Sequence, residues 1–265
     1  MNITSDLFSL LALGLHNEIK KTDFSDINWH ELIELSIKHG VVGQVFYAVK
    51  RLKDGEIEDG KINIDSLDLG QLYTMTTKQE KYFLEMWYQT LKLADFFSSN
   101  NIRTVVIKGF GIASLYPNPK ARLFCDLDCF LLSKDHNNID NHDDVWHNAN
   151  SLIKSQGIKL NTDVYLHSTF EYKKLHVENH RYMTNVKGSK RMLEFENYLQ
   201  NSLLTEGTTN LGDTKVEIPN LMFTSLYVLY HSHKHMLHGE MTLRMLCDWA
   251  VILKESTQIE FRWEE

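Results

Sequence analysis

Apolar residues recur at helical spacing through the first hundred positions of this chain. Leu7, Leu10, Leu11 and Leu15 follow Thr4 and Ser5, either of which can cap, so the spacing predicts a first helix to about Ile19. Two more helices are expected, Trp29 to about His39 and Val41 to Leu52, with Gly40 as the break between them. Lys53 to Asp65, rich in Asp, Glu and Gly, reads as a surface connection. From Ser66 to Ser99 the helical period runs without proline, and Leu72, Met75, Tyr82, Phe83, Met86, Trp87, Leu91 and Leu93 form a broad apolar face suited to packing.

The pattern then changes period. Val105, Val106 and Ile107 supply a β-branched run that leads into Gly109 and Gly111, the signature of a buried strand entering a glycine turn. A short helix, about Phe110 to Leu115, is expected to stop at Pro117 and Pro119, because each lacks an amide donor and pushes the preceding residue out of helical geometry. A second strand is predicted over Leu123 to Leu132. Lys134 to Asp144 is polar and reads as a loop, and Val145 to Gln156 as a helix closed by Gly157.

Two further strands are expected, Ile158 to Leu166 and Thr169 to Glu178, which with the earlier pair make a small mixed sheet. Ser189 to Leu204 is helical, and Gly207 to Val216 is a turn-rich connection. Pro219 is expected to open a helix to about His238 from its first position, with a partner helix from Glu240 to about Lys254. The reading is an α+β protein: an N-terminal helical region (1–100), a core carrying the sheet (101–186) and a C-terminal helical region (187–265).

Composition narrows the class. At 265 residues, 43% of them hydrophobic and 24% charged, the chain can bury a substantial core and reads as an ordinary soluble protein. Its net charge of −7 argues against a binder of extended nucleic acid, which needs a basic surplus. The local clusters Lys50, Arg51, Lys53 and Lys187, Lys190, Arg191 read as solvated helix edges. Cys125, Cys129 and Cys247 form no CxxC pair and no disulfide framework; Cys125 and Cys129 are expected to be packed small side chains, and the compartment a reduced, cytoplasmic one. The apolar run Leu7 to Leu15 is too short to span a bilayer and has no basic residues before it, so neither a signal peptide nor a membrane helix is expected.

The second central strand carries the candidate chemistry. Asp126 and Asp128 stand two residues apart, so on a strand both carboxylates project from one face, with Cα atoms about 6.5–7 Å apart. Two carboxylates at that spacing can converge on one ion or bridge two. Their apolar neighbours Phe124, Leu127, Phe130 and Leu131 make unpaired burial costly and so favour a bound cation. Further on, alternation puts Glu178 on the same side as His176 and His180. The Lys108, Gly109, Gly111 turn can aim amides and one ammonium at phosphate oxygens, and three acids suit Mg²⁺, a hard cation that keeps waters for substrate phosphates to replace.

The order KGxxxxxLYPxPxxRxxxDxD, formed by Lys108, Gly109, Leu115, Tyr116, Pro117, Pro119, Arg122, Asp126 and Asp128, resembles the uncharacterised nucleotidyltransferase family of the DNA polymerase beta superfamily. A later Val-Glu-x-His element is matched by Val177, Glu178, Asn179 and His180, and a C-terminal helix pair with histidines, Arg and Asp by His231, His235, Arg244 and Asp248. The resemblance covers about Ile102 to Leu253. It implies a nucleotidyltransferase fold that binds two Mg²⁺ ions through Asp126, Asp128 and Glu178, takes an NTP donor and serves an unidentified acceptor. Lys108, Gly109, Gly111 and Arg122 would contact phosphates or order the acidic strand, with His180 and His231 as further acceptor or phosphate contacts. The superfamily's usual Gly-Ser or Gly-Gly pair is replaced here by Lys108-Gly109.

Other readings compete. Gly109-Phe-Gly111 after a strand resembles a dinucleotide fingerprint, but the prolines cut its helix too short for a βαβ crossover and the acids come as a pair within a strand. His231 and His235, spaced i,i+4, with Asp248 suggest a metallohydrolase, though Ser232 stands where an H-E-x-x-H arrangement needs glutamate. Arg244 and Asp248 read as an ion pair. A domain kept as a non-catalytic binding module is the third class.

Overall fold

The computed structural model describes residues 3–16, 21–134, 142–205 and 207–257. In chain order its elements are α1 (Ile3–Gly14), β1 (Asp23–Phe24), α2 (Trp29–Lys38), α3 (Val42–Lys53), β2 (Lys61–Ile62), α4 (Ser66–Ser99), β3 (Ile102–Val106), α5 (Phe110–Ala113), a 3-10 turn (Pro119–Ala121), β4 (Leu127–Ser133), α6 (His142–Ser155), β5 (Leu160–Asn161), β6 (His167–Tyr172), β7 (Leu175–His180), α7 (Lys190–Thr205), β8 (Thr208–Asn210), β9 (Val216–Pro219), α8 (Leu221–Leu237) and α9 (Leu243–Ser256). The expected α+β class is what the chain adopts. Among the described residues no helix is long and apolar enough to cross a membrane.

The chain forms two compact units. One comprises Met1–Leu84, Ala113–Phe124 and Ser232–Glu265; the other comprises Glu85–Ile112 and Cys125–His231. In the first, α1 and α3 cross so closely that a Cβ on Gly14 would meet the Gln44 carbonyl oxygen at 2.2 Å. Leu7, Leu10, Leu32, Ile33, Val45 and Val49 fill the space between the helices. The segment after α5 is pinned to α3 and α4: Gln44 and Gln79 both donate to the Ala121 carbonyl, at 2.9 and 2.6 Å, and a Cβ on Gly43 would meet that same oxygen at 2.4 Å. Gly40 breaks α2 from α3 at φ +68°, as its lack of a Cβ allows.

The second unit holds a seven-stranded mixed sheet in the order β5-β6-β7-β4-β3-β9-β8. β4 lies at its centre, antiparallel to β3 and parallel to β7. All but the last of its residues are buried, the mark of a strand covered on both faces. On one face Val105, Ile107, Phe130 and Leu132 pack under Leu199 and Leu203 of α7 and Phe223 and Tyr227 of α8. On the other, α6 docks: Trp146 donates to the Asn179 carbonyl at 3.0 Å, and buried Asn150 accepts from Ser168 and Asn179.

Several boundaries differ from expectation. Thr4 and Ser5 lie inside α1, not ahead of it, and positions 17–19 of that expected helix fall outside the described residues. The surface connection contains β2, which pairs parallel with β1. α6 begins at His142, inside the expected loop, of which residues 135–141 are outside the description. The expected strand Thr169 to Glu178 is a hairpin, β6 and β7, reversing around Lys173 at φ 54°. The turn-rich connection contributes β8 and pairs with β9. Pro219 ends β9 instead of opening α8; Asn220 precedes the helix, and its side chain accepts the Phe223 amide at 2.8 Å. Cys125 is exposed, whereas Cys129 and Cys247 are buried.

Candidate metal and phosphate site

Register assembles the acids. Asp128 on β4 sits directly beside Glu178 on the parallel neighbour β7, and Glu178 in turn faces Thr169 on β6. Asp126 does not share the strand: β4 starts at Leu127, which is the first residue with a ladder partner, Val177. Its carboxylate nevertheless converges, and ligand oxygens of Asp126, Asp128 and Glu178 all lie within 4.8 Å of one another.

Three carboxylates this close repel, and the chain supplies cations against them. Asp128 is buried. Its Oδ2 lies 3.0 Å from the Lys108 ammonium, and its Oδ1 takes His180 Nε2 at 3.1 Å. Burial pushes the Asp128 carboxyl up, yet Lys108 and His180 outweigh it and hold the group well below the usual carboxylate range. Burial likewise works against a charged His180, but the Asp128 and Glu178 carboxylates override it and raise the imidazole to about 9. Both ring nitrogens of His180 face acceptors, since Nδ1 lies 3.3 Å from the Tyr182 carbonyl oxygen. The His180 imidazole beside Glu178 holds that carboxyl down, against burial and the charge of Asp128.

The donor set fits a hard divalent cation. It offers three carboxylates and no thiolate, and burial with nearby acids raises the Cys129 thiol far out of the titrating range. Buried Asp128 Oδ2 meets Lys108 as an ion pair without accepting a directed hydrogen bond, so a lone pair there is open to a metal.

The remaining expected residues fall in different places. Lys108 follows β3 and also approaches His231 Nε2 at 3.3 Å, so His231 does come to this site. Gly109 takes the left-handed conformation, φ +59°, that the turn requires. Gly111 is a packing glycine: a Cβ there would meet Ile218 at 3.1 Å, and its amide donates back to the Lys108 carbonyl. Arg122 is buried in the other unit and pairs with Asp248 through two bonds of 2.7 and 2.9 Å, with Tyr116 donating to the same carboxylate at 2.7 Å. Asp248 is thereby engaged by Arg122, not by Arg244. His235 pairs with Glu240 at 3.1 Å. His231, His235 and Asp248 do not form one of the metal-capable groups found among the described residues.

Two residues escaped the sequence reading. His167 is the register partner of His180 and closes on Glu178; the turn at Lys173 carries no glycine, asparagine or proline to announce the hairpin that brings it there. Glu196, buried on α7, accepts the Met183 and Thr184 amides and the Thr184 hydroxyl, and so fixes the chain just after His180.

The comparisons with curated proteins and with solved structures each returned no match. A family model described as uncharacterised nucleotidyltransferase matches residues 25–265, nearly the whole chain. The protein belongs to that uncharacterised nucleotidyltransferase family.

Proposed function

We propose that this protein is a Mg²⁺-dependent nucleotidyltransferase that moves an NMP group from an NTP to a hydroxyl or phosphate of an acceptor still to be identified. The observation that carries the reading is the convergence of Asp126, Asp128 and Glu178 within 4.8 Å beside Lys108, in a chain of this family. These three acids would hold two Mg²⁺ ions. Bound by these acids, the metal would supply Lewis-acid chemistry: a lowered pKa for an acceptor hydroxyl and neutralised charge on a departing pyrophosphate.

The chain's own groups divide the remaining work. Lys108, on the turn made by Gly109, transfers its ammonium from Asp128 to the phosphates of the donor. His231, whose Nε2 faces that ammonium, keeps it oriented. Glu178, at 23% side-chain exposure against 1% for Asp128, is the acid an acceptor hydroxyl reaches and the one to take its proton. His180 locks Asp128 in place. Arg122, spent on Asp248, orders the segment that leads into β4 and does not itself touch phosphate.

The test is calorimetric titration of each of the four NTPs, with and without Mg²⁺, into the wild type and the Asp126→Ala/Asp128→Ala double variant. Metal-dependent binding of at least one NTP that the double variant loses is the expected result. A folded wild type that binds no nucleotide would sink the transferase reading and leave a non-catalytic module.

A further inference from the structure

We propose that His167, Glu178 and His180 form a second metal site, for a borderline transition ion such as Zn²⁺, that shares Glu178 with the acid group. The three residues come from the facing strands β6 and β7, where His167 and His180 are register partners. Alternation puts all three side chains on one face of the sheet. One donor atom from each lies within 4.8 Å of the other two.

The distances are those of ligands around a common ion. His180 Nε2 and His167 Nδ1 stand 3.5 and 3.7 Å from the same Glu178 oxygen, Oε2. Both separations are long for an N–H···O bond. Two donors held at the usual zinc bond lengths of about 2.0–2.1 Å and a tetrahedral angle are about 3.3 Å apart. Both histidine–Glu178 separations lie within a few tenths of an ångström of that value.

The neighbouring groups orient the ring as ligating histidines require. His180 Nδ1 faces the Tyr182 carbonyl at 3.3 Å, which turns Nε2 toward Asp128 and Glu178. The chain after that carbonyl is fixed by the buried Glu196 carboxylate. On ion capture, His180 Nε2 releases its proton to solvent and exchanges its bond to Asp128 for the metal; Asp128 keeps Lys108.

Imidazole nitrogens select for zinc-like ions and against Mg²⁺, whereas Asp126 and Asp128 offer oxygen alone. The face thus sorts two classes of cation, with Glu178 common to both. Neither the donor spacing nor the ligand chemistry depends on nucleotidyl transfer.

The experiment uses the full chain freed of metal. Co²⁺ is titrated while its visible d–d absorbance is followed, and Zn²⁺ affinity is measured by competition with a chromophoric chelator, for the wild type, His167→Ala and Asp126→Asn. The expected result is a Co²⁺ band of nitrogen-ligated character and a Zn²⁺ affinity that His167→Ala weakens by at least about tenfold while Asp126→Asn leaves it nearly unchanged. Equal Zn²⁺ affinity in wild type and His167→Ala overturns the proposal. So does an equal loss in Asp126→Asn, which would mean that the ion is not held by a site separate from the acid group. Thermal unfolding confirms that each variant folds, and His167→Gln, closer in size, takes the place of an unfolded alanine variant. The NTP titrations contain no transition metal, so this site and the transferase reading fail separately.

Discussion

Two buried aspartates, one in each unit, show how differently the same side chain is used. Asp248 meets one guanidinium through both oxygens and also accepts the Tyr116 hydroxyl, so one carboxylate is balanced by one cation with its hydrogen bonds filled. Asp128 is as deeply buried, yet it meets Lys108 and a His180 that Glu178 also approaches, it lies in a group of three carboxylates, and its Oδ2 accepts no directed hydrogen bond. A closed, stoichiometric pair is what a fold needs to tolerate buried charge. Three carboxylates held close together repel one another, so this group costs more to bury than the closed pair does. The difference separates an aspartate closed off by its cation from one that stands in a group able to hold a metal, although both stand in the family-like motif.

The largest effect that would sharpen this contrast is on stability. Arg122→Ala leaves Asp248 buried without its cation and is expected to cost about 3–5 kcal/mol, read from urea unfolding. A loss under about 1 kcal/mol would mean that the pair is not the closed structural unit described.

A third kind of buried group, a histidine whose burial outweighs the neighbouring Asp143 charge, gives the next effect. His142 is stacked on Phe130 with ring centroids 3.8 Å apart, and burial lowers its pKa to about 4. Because the folded value is depressed below the ordinary histidine value of 6.5, the unfolded chain binds the extra proton between those values. Stability therefore falls as pH drops from about 6.5 toward 4, by about 3 kcal/mol from this residue. Melting curves across that window should be flatter for His142→Gln than for wild type; parallel curves would contradict the assignment.

On the ligand side, Asp128→Asn is expected to lower turnover about a hundredfold, an effect of about 2.7 kcal/mol on the transition state. It should also leave the unfolding midpoint nearer the wild type than Arg122→Ala does. Pyrophosphate release from the preferred NTP with its acceptor measures the first quantity, and an Asp128→Asn enzyme of full activity would erase the distinction between the two aspartates. The smallest effect concerns the support of the closed pair. Gly43→Ala drives a Cβ toward the Ala121 oxygen beside Arg122 and is expected to cost about 1–3 kcal/mol in the same unfolding assay.

Local signals made much of this architecture readable. α4 matches its expected bounds because its helical period runs unbroken from Ser66 to Ser99, and Trp29 opens α2 where Asn28 can accept the Glu31 amide. The Asp126, Asp128 and Glu178 grouping was legible from the family resemblance, whereas the period-two argument put Asp126 on a strand that begins only at Leu127. What stayed hidden was non-local. No local pattern states that β7 pairs parallel with β4, or that Thr208–Asn210 becomes an edge strand. Lys173 reverses the chain without the residues that usually mark a turn, so two strands read as one and His167 went unnoticed. Arg122 looked like a phosphate contact because nothing in the spacing discloses that Asp248, far along the chain, meets it through both oxygens.

The parallel pairing of β4 with β7 also has a consequence for how the chain is made. Asp128 and Glu178 meet only in one register, and a slip by a single residue would turn Glu178 to the opposite face. Parallel partners cannot zip from a hairpin; their alignment waits for the crossover between them to close, a slow, long-range step. During synthesis, Asp128 therefore leaves the ribosome well before its partner acid exists. The nascent chain lacks the grouped acids, and their coming together reports that the central strands have found their final alignment.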